Sequence, residues 1–234
     1  PTTRDSMYST VARVFPTLLC LPPYALAYVY FVGPELQSLL AAITSEISAM
    51  VVDASLGIVF VYLMSQVNRT VSKTLWQKFY FDGEKAMPTT RMLLSSSNDL
   101  SDEYKMQLRS QMENDFGVDL PTPEEESEDI FAARKRVSEV IARVRDRVGS
   151  GRLLLQHNME YGFVRNLIGG CTLSAPTALL LAFLLPSGQS NVAAILAGLL
   201  AVIYTLPLLF SKWIMHHYGD AYAKVLFREY LNAD

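Results

Sequence analysis

The fold is decided by the stretch SAMVVDASLGIVFVY, residues 48–62, in which a single acid, Asp53, interrupts an apolar run. A carboxylate in apolar surroundings must be paired, neutralised or in contact with water. Four runs of the chain are almost free of charge: residues 15–33, 48–67, 167–186 and 192–211. Each has about 20 residues, which is what a helix needs to cross the core of a bilayer. The sequence therefore predicts four membrane spans, and the prolines of the first run predict a kink there.

Positive charges indicate the orientation of these spans. The connection 34–47 and the turn 187–191 contain no Lys or Arg. Because basic residues are retained on the cytoplasmic side, both termini and the segment 68–166 are predicted to be cytoplasmic. The chain then has an N-terminal segment with the first hairpin, a helical cytoplasmic domain, a second hairpin and a C-terminal helix, over residues 1–67, 68–166, 167–211 and 212–234.

Helical signals recur through the segment 68–166, whereas alternating strands between turn residues are absent. Thr122, Pro123 and Glu125 combine an N-cap, a first-position proline and a capping-box acid, which predicts a helix that continues to Val148. Its apolar stripe comprises Ile130, Val137, Ile141, Val144 and Val148. Further helices are predicted over residues 101–116, 152–165 and 212–231. The predicted fold is all-α, with four transmembrane helices as two hairpins that flank a helical cytoplasmic domain.

The last of these helices carries aromatic residues at a regular spacing. Tyr218, Tyr222, Leu226 and Tyr230 recur at intervals of four. Residues at this spacing share one face of a helix. We therefore expect the helix to pack this face on the cytoplasmic domain or on a neighbouring subunit.

Glu46, Asp53 and Gly57 form the first candidate site, a lining for a pore. If the second membrane helix begins before the membrane, the three residues lie on one of its faces. Copies of this face around a symmetry axis would make two acidic rings and a close backbone approach, as in cation pathways. The alternative is that Asp53 lies near the outer headgroups or pairs with a Ser, Thr or Tyr side chain of another span.

The second candidate site is basic and is expected to bind a ligand. Its members crowd one helix and the end of that helix: Arg134, Lys135, Arg136, Arg143, Arg145, Arg147 and Arg152. Their charge, and the prevalence of arginine, suit a phosphate-rich ligand or an anionic membrane surface. The alternative is a solvated helix that pairs with the acidic run 124–129 and with neighbouring helices.

The third candidate lies directly before the third span. Tyr161 and Arg165 are suited to the membrane boundary, while Gly162 and the glycine pair 169–170 allow another helix to approach closely. Together with Asn166, these residues predict either a gating hinge or an ordinary interface anchor.

No catalytic centre, cofactor or metal site is predicted. His157, His216 and His217 lack the His-Glu-x-x-His spacing, and neither a phosphate-binding glycine loop nor a Gly-x-Ser-x-Gly elbow is present. Cys20 and Cys171 fall in or beside spans and are interpreted as packing residues. The chain is therefore not expected to be an enzyme.

Three stretches carry a resemblance to a known family: PTTRMLL at residues 88–94, RLL at 152–154 leading to NMEYGFVRNL at 158–167, and the tyrosines of the C-terminal helix. They resemble small prokaryotic membrane effectors encoded beside anti-phage genes, a family that includes the membrane channel effector of the Hailong defence system. The resemblance implies a tetrameric ion channel in the bacterial inner membrane. It also implies that short single-stranded DNA, made by a partner nucleotidyltransferase, holds the channel closed.

The shared motifs lie outside most of the arginine run, so no ligand residue of the family is carried over. From the residues themselves, an acidic helix face coupled to a basic domain favours a ligand-gated ion channel. Its expected partners are membrane lipid, further copies of the chain and a nucleic-acid or nucleotide ligand. The alternative function is a non-conducting anchor or sensor, whose basic helix binds a cytoplasmic partner and whose Asp53 is a structural polar contact.

Overall fold

Helices dominate the computed structural model, which describes residues 3–43, 46–82, 85–148, 151–185 and 191–233. The side chains of Glu46 and a few other helical residues lie outside this description. The described ranges contain no strand, which confirms the all-α prediction. Contacts divide the chain into two compact units: a first unit of Pro1–Ser72 with Phe163–Ser211, and a second unit of Lys73–Gly162 with Lys212–Asp234.

The described residues contain thirteen α-helices and three π-helical turns. In chain order they are α1 (Thr3–Ser9), π1 (Thr10–Val14), α2 (Phe15–Leu19), α3 (Pro22–Ala27), π2 (Tyr28–Val32), α4 (Gly33–Ile43), α5 (Glu46–Val71), π3 (Ser72–Gln77), α6 (Lys78–Phe81), α7 (Pro88–Leu93), α8 (Asp102–Phe116), α9 (Pro123–Glu128), α10 (Ile130–Val148), α11 (Arg152–Leu184), α12 (Asn191–Leu209) and α13 (Ser211–Leu231).

Three helices in the described residues are long and apolar enough to cross a membrane: Met50–Phe81, Arg152–Leu184 and Val192–Leu209. The first of them is α5 with its continuation through π3 and α6. A fourth crossing requires that two helical segments form one broken span. These segments are Ser6–Leu19 and Pro22–Leu39, and the chain bends by 46° between them. The chain is thus a membrane-protein candidate with three such helices, and the layout of four spans in two hairpins stays a prediction.

The bend in the N-terminal segment lies where Pro22 and Pro23 follow each other. Neither residue has an N–H, so carbonyls one turn earlier lose the donors that a continuous α-helix would supply. The first helical stretch ends at Leu19 and the next begins at Pro22. The kink predicted from the prolines is therefore a break in the helix.

The second unit packs around an apolar core. Side chains from α8, α10 and α13 are buried in it, among them Leu108, Met112, Val137, Ile141, Val144, Val148, Leu226 and Tyr230. The predicted stripe of α10 is confirmed, although Ile130 is only half-buried. Tyr230 stacks on Phe116, with 6.2 Å between the ring centroids. Of the two partners predicted for the C-terminal helix, the domain is therefore one that it contacts.

Local capping signals position the helices of this unit. Ser101 accepts a hydrogen bond from the N–H of Tyr104 at the start of α8, and Gly117 ends that helix with a φ of 61°. Glycine adopts this left-handed conformation without strain. The capping box predicted at Thr122 and Glu125 is present at the start of α9.

The prediction of a single helix from this capping box to Val148 is wrong. The chain leaves the helix at Asp129 and begins α10 at Ile130. The Oδ1 atom of Asp129 accepts hydrogen bonds from the N–H groups of Phe131 and Ala132, both at 3.0 Å. Asp129 is thus a second N-cap, and it stops one helix while starting the next.

A buried acid joins three elements of the second unit. Both carboxylate oxygens of Glu126, whose side chain is 4 % exposed, accept hydrogen bonds from Ser95 N at 2.9 Å. Arg109 Nη1 lies 3.7 Å from Glu126 and donates to Leu93 O at 2.9 Å. Arg109 Nη2 also donates to Pro121 O. The pair ties α8 and α9 to the chain that follows α7.

Candidate functional site

Glu46, the first residue of the predicted acidic face, is also the first residue of α5. The side chain of Glu46 lies outside the described residues. Asp53 is half-buried, and its Oδ1 accepts a hydrogen bond from the Tyr28 hydroxyl at 2.5 Å. Apart from its chain neighbours and the nearby backbone of its own helix, no described atom lies within 4 Å of the position that a Cβ would take at Gly57. Within one chain, the described residues therefore give Gly57 no close neighbour.

The helix that carries Asp53 packs on very little protein. In its most apolar 18-residue stretch only 6 % of the residues are buried, against 44 % in the corresponding stretch of α11. Met50, Ile58 and Tyr62 expose 73 %, 72 % and 64 % of their surface. An apolar surface of this extent needs either lipid or further protein to cover it.

Two tyrosines of the preceding segment contact α5 near Asp53. Tyr24 of α3 meets Phe60 edge to face, with 5.6 Å between the ring centroids. Tyr28, about one turn further along the chain, meets Asp53. The two segments therefore run antiparallel. The hydrogen bond from Tyr28 is the kind of contact expected from the alternative interpretation, in which Asp53 pairs with a Ser, Thr or Tyr side chain.

Asn166, predicted as a hinge or anchor residue, supplies a donor that a proline removes. An α-helix would join the N–H of residue 16 to the carbonyl of residue 12, but residue 16 is Pro16. Asn166 Nδ2 donates to Ala12 O at 2.5 Å, while the Ser72 hydroxyl donates to Asn166 Oδ1 at 3.3 Å. Asn166 is 1 % exposed and Ser72 is 0 % exposed. Asn166 thus bridges π1, π3 and α11 inside the first unit.

Carbonyls at the helix break before Pro22 also accept hydrogen bonds from side chains distant in the sequence. Pro23 cannot donate to Leu19 O, and the Tyr204 hydroxyl of α12 donates to this carbonyl at 2.7 Å. The next carbonyl, Cys20 O, accepts from the Ser174 hydroxyl of α11 at 2.9 Å. A freed carbonyl in the hydrocarbon region of a bilayer needs a protein donor, because water is absent there.

Gly169 and Gly170 let neighbouring segments approach α11 closely. A Cβ at Gly169 would lie 2.2 Å from Asn68 O, and a Cβ at Gly170 would lie 2.6 Å from Cys20 Sγ. Asn68 is 1 % exposed, and its Nδ2 donates to Thr17 Oγ1 at 3.3 Å. The close approach predicted at this glycine pair is confirmed, with α5 and the helix break as the neighbours.

The other residues predicted beside Asn166 lie along one uninterrupted helix. α11 continues from Arg152 to Leu184 through all of them. The Tyr161 hydroxyl lies 3.9 Å from Met87 Sδ. Gly162 is buried, and Arg165 is half-buried.

The seven predicted ligand-binding residues differ in their hydrogen-bond and ion-pair partners. Arg136 pairs with Glu125 at 2.9 Å and donates to Asp119 O at 2.9 Å. Arg147 pairs with Asp115 at 3.0 Å. The N–H of Thr122 and the Arg136 guanidinium hold the pKa of the Glu125 carboxyl below its usual range. These are the pairings that the solvated-helix alternative describes.

The remaining basic residues have weaker or no partners within the described part of the chain. Arg143 Nη1 donates to Phe116 O at 3.5 Å. Four residues have no hydrogen bond or ion pair from a side-chain nitrogen to another described residue: Arg134, Lys135, Arg145 and Arg152. Lys135 and Arg152 are exposed, whereas the other two are half-buried.

A polar cluster in the second unit was not predicted. Arg91 donates to Asp99 at 3.0 Å, to Asp220 at 2.9 Å and to His216 Nδ1 at 3.2 Å. Burial and the positive charge of Arg91 lower the pKa of His216. The side chains come from α7, the loop after it and α13. Arg91 belongs to the PTTRMLL motif, but nothing in the local sequence indicates its distant partners.

Histidines and cysteines form no metal site in the described residues, where no group of three or more His, Cys, Asp or Glu side chains is suitably placed. Cys20 and Cys171 are both free and buried. They lie in an apolar cluster with Ala175 and Tyr204.

Comparison with known proteins identifies no relative. No protein-family model, no curated protein and no solved structure matches the chain.

Proposed function

We propose that the chain forms a homo-oligomeric, ion-conducting membrane pore lined by α5, with Asp53 and Glu46 near its mouth. One observation carries this proposal: a half-exposed carboxylate stands on a candidate membrane-spanning helix that packs on almost no protein. Asp53 lies three residues inside the candidate span Met50–Phe81, which is about 5 Å along the helix. Facing lipid, this group would be poorly solvated, whereas around a water-filled axis it would attract cations.

We also propose the number of membrane spans and the side of the membrane on which the termini lie. The bent pair Ser6–Leu19 and Pro22–Leu39 is one broken span, which gives four spans with both termini on the cytoplasmic side of a bacterial inner membrane. The donors supplied to the freed carbonyls at the break support this assignment, because they meet the requirement for backbone inside a bilayer. A tetramer is the assembly that the resemblance implies.

The resemblance also supplies the proposed ligand and role. Short single-stranded DNA or a nucleotide, made by a partner nucleotidyltransferase, holds the pore closed until phage infection removes it. Among the seven basic residues predicted to bind a ligand, four have no side-chain partner in the described part of the chain and are the ones that we propose for phosphate contacts. They are Arg134, Lys135, Arg145 and Arg152.

Ion flux through liposomes that contain the purified protein tests the pore. We expect wild type to conduct, and Asp53→Asn to lower the ratio of cation to anion permeability by roughly 3- to 10-fold, because a ring of charge is lost. Ser55→Ala is the matched control, since its exposed hydroxyl donates only to Val51 O of its own helix. A well-folded oligomer that passes no ions, with or without DNA, would contradict the proposal.

Binding of a short single-stranded DNA, measured over a series of salt concentrations, tests the ligand site. We expect Arg134→Gln with Lys135→Gln to weaken binding and to reduce the slope of log K against log salt by about 1.4, the value for two lost phosphate contacts. Lys78→Gln with Lys85→Gln removes two other exposed charges as a control. Unchanged binding in the first double variant would exclude Arg134 and Lys135 from the site.

A non-conducting anchor or sensor is the second candidate function. The Tyr28 hydrogen bond favours it, because a carboxylate with a donor has one of its polar requirements met without water. This candidate predicts that Asp53→Asn alters stability alone. A changed ion selectivity in that variant would rule it out.

A further inference from the structure

Tyr28 is the one hydrogen-bond donor to Asp53 among the residues that the structure describes. Its hydroxyl oxygen lies 2.5 Å from Oδ1, which leaves Oδ2 without a donor from any described residue. Hydrogen bonds to a charged acceptor are about twice as strong as those between neutral groups. The bond therefore restricts the rotation of the Asp53 side chain.

The backbone around Tyr28 constrains the position of its ring. Tyr28 begins π2, in which the N–H of Gly33 donates to Tyr28 O across five residues. Such π-helical turns are rare and recur at functional positions. A Cβ at Gly33 would lie 3.2 Å from Cε1 of the Tyr28 ring and 3.2 Å from Tyr28 O. Glycine at this position therefore leaves room for the ring, and a larger residue would press on it.

The neighbouring contact fixes the alignment of the two segments. The edge-to-face pair of Tyr24 and Phe60 holds α3 against α5. Tyr28 and Asp53 follow on the same side of this contact, and both remain half-exposed. An ion that reaches this part of the α5 surface can therefore approach the half-exposed Asp53 side chain.

We propose that Tyr28 is a positioning residue of the pore. Its hydroxyl binds Oδ1 of Asp53 and presents Oδ2 to passing cations, and this arrangement sets the preference for cations over anions. The inference rests on the proposed pore, and it adds a selectivity-determining residue from a different helical segment. Tyr28 acts through Asp53 and need not touch the ion.

Permeability ratios of Tyr28→Phe, Asp53→Asn and the double variant test this role. We expect Tyr28→Phe to lower the ratio of cation to anion permeability by about 3-fold, at the lower end of the range expected for Asp53→Asn, because the carboxylate keeps its charge and loses only the donor that orients it. The double variant should match Asp53→Asn alone, because two residues that act through one contact are not additive. Tyr62→Phe, which removes an exposed hydroxyl from α5, should leave the ratio unchanged.

Gly33→Ala provides a second variant that does not depend on removing a polar group. Alanine is the better helix former, so the segment should fold. Its methyl group would displace the Tyr28 ring, and we expect a smaller fall in the same permeability ratio. An unchanged ratio in both Gly33→Ala and Tyr28→Phe, in a wild-type background that conducts, overturns the inference and leaves the pore proposal standing.

Labelling by a hydrophobic carbodiimide tests the contact even if the wild type conducts nothing. The carboxylic acid O–H adds across a C=N bond of the reagent, and the O-acylisourea rearranges to an N-acylurea, so the entire mass of the reagent stays on Asp53. We expect Tyr28→Phe to be labelled about 3-fold faster, because both carboxylate oxygens are then free of the donor. Asp53→Asn removes the label at position 53, which peptide mass spectrometry distinguishes from label on other carboxyl groups. Equal rates in wild type and Tyr28→Phe overturn the inference.

Discussion

The two units provide partners for their buried polar groups in different ways. In the first unit, neutral side chains donate across helices to carbonyls that prolines have freed, as Asn166 does to Ala12 O. In the second unit, charged groups pair with each other and with the backbone, as Glu126 and Arg109 do. This difference is the one expected if the first unit lies in the bilayer and the second in water, as in the proposed layout. Charges are expensive in hydrocarbon, whereas a polar group that leaves water needs only a well-placed partner.

The largest effect is expected where a buried charge loses its partner. Glu126→Ala leaves Ser95 N and Arg109 without the carboxylate, and we expect it to lower the free energy of unfolding by about 3 kcal/mol. Denaturant unfolding of the detergent-solubilised protein measures this change. Glu124→Ala, which removes an exposed acid from the same short helix, should cost less than about 0.5 kcal/mol. Equal costs would show that the buried pair adds no stability.

Packing at the glycine pair should give the next largest effect. Gly169→Ala places a Cβ 2.2 Å from Asn68 O, which forces helices apart at a cost of about 2–3 kcal/mol. Gly198→Ala is the matched control, because no described atom other than its chain neighbours and the nearby backbone of its own helix lies within 4 Å of its Cβ position. That control should be neutral or stabilise α12 by up to about 1 kcal/mol. Similar thermal stability in the two variants would contradict the close packing.

The donor to a proline-freed carbonyl should have a smaller effect than either. Asn166→Leu removes the bond to Ala12 O, and we expect a loss of about 1–2 kcal/mol, the range for hydrogen bonds between membrane helices. Thr177→Val removes a hydroxyl that donates within α11, to Leu173 O, and should cost less. If both substitutions change the melting temperature equally, bridging between helices contributes nothing beyond a local bond.

The smallest effect concerns pH and is confined to the second unit. The folded pKa of His216 is lowered by burial and by Arg91, so the unfolded chain takes up the proton first as the pH falls. Stability from this group is therefore fully present above the unfolded pKa of about 6.5 and declines as the pH falls below it. Asp220 opposes the effect and Lys212 adds to it.

His216→Gln tests this pH dependence through melting temperatures measured between neutral and mildly acidic pH. The variant should lose part of the decline seen in wild type. His217→Gln, on the same helix, should retain the decline due to His216. A decline of the same size in His216→Gln and wild type would assign it to other groups.

Local chemistry made the helices of the second unit predictable. The apolar stripe of α10, the capping box at Thr122 and the end of the helix predicted over residues 101–116 are all set within a few residues, and each is confirmed. The break at Asp129 also had a local signal, because aspartate is a favoured N-cap. The apolar periodicity that continued past it masked this signal.

The contacts of the first unit could be anticipated only in part. The prolines predicted a disturbance, and the glycine pair predicted close packing, because both properties belong to single residues. The partner of each freed carbonyl could not be predicted, since Asn166 and Tyr204 are far from Ala12 and Leu19 in the chain. For the same reason the sequence singled out Asp53 but not Tyr28.

The proline positions constrain how sequences related to this one can diverge. A residue with an N–H in place of Pro16 would restore the backbone donor for Ala12 O, and the hydrogen bond from Asn166 would then no longer be needed to satisfy this carbonyl. A lineage that loses Pro23 would likewise relieve the requirement for a hydroxyl at Tyr204. Each proline and its distant donor are therefore expected to be replaced together, so coupled substitution at these positions is the evolutionary trace of the broken helix.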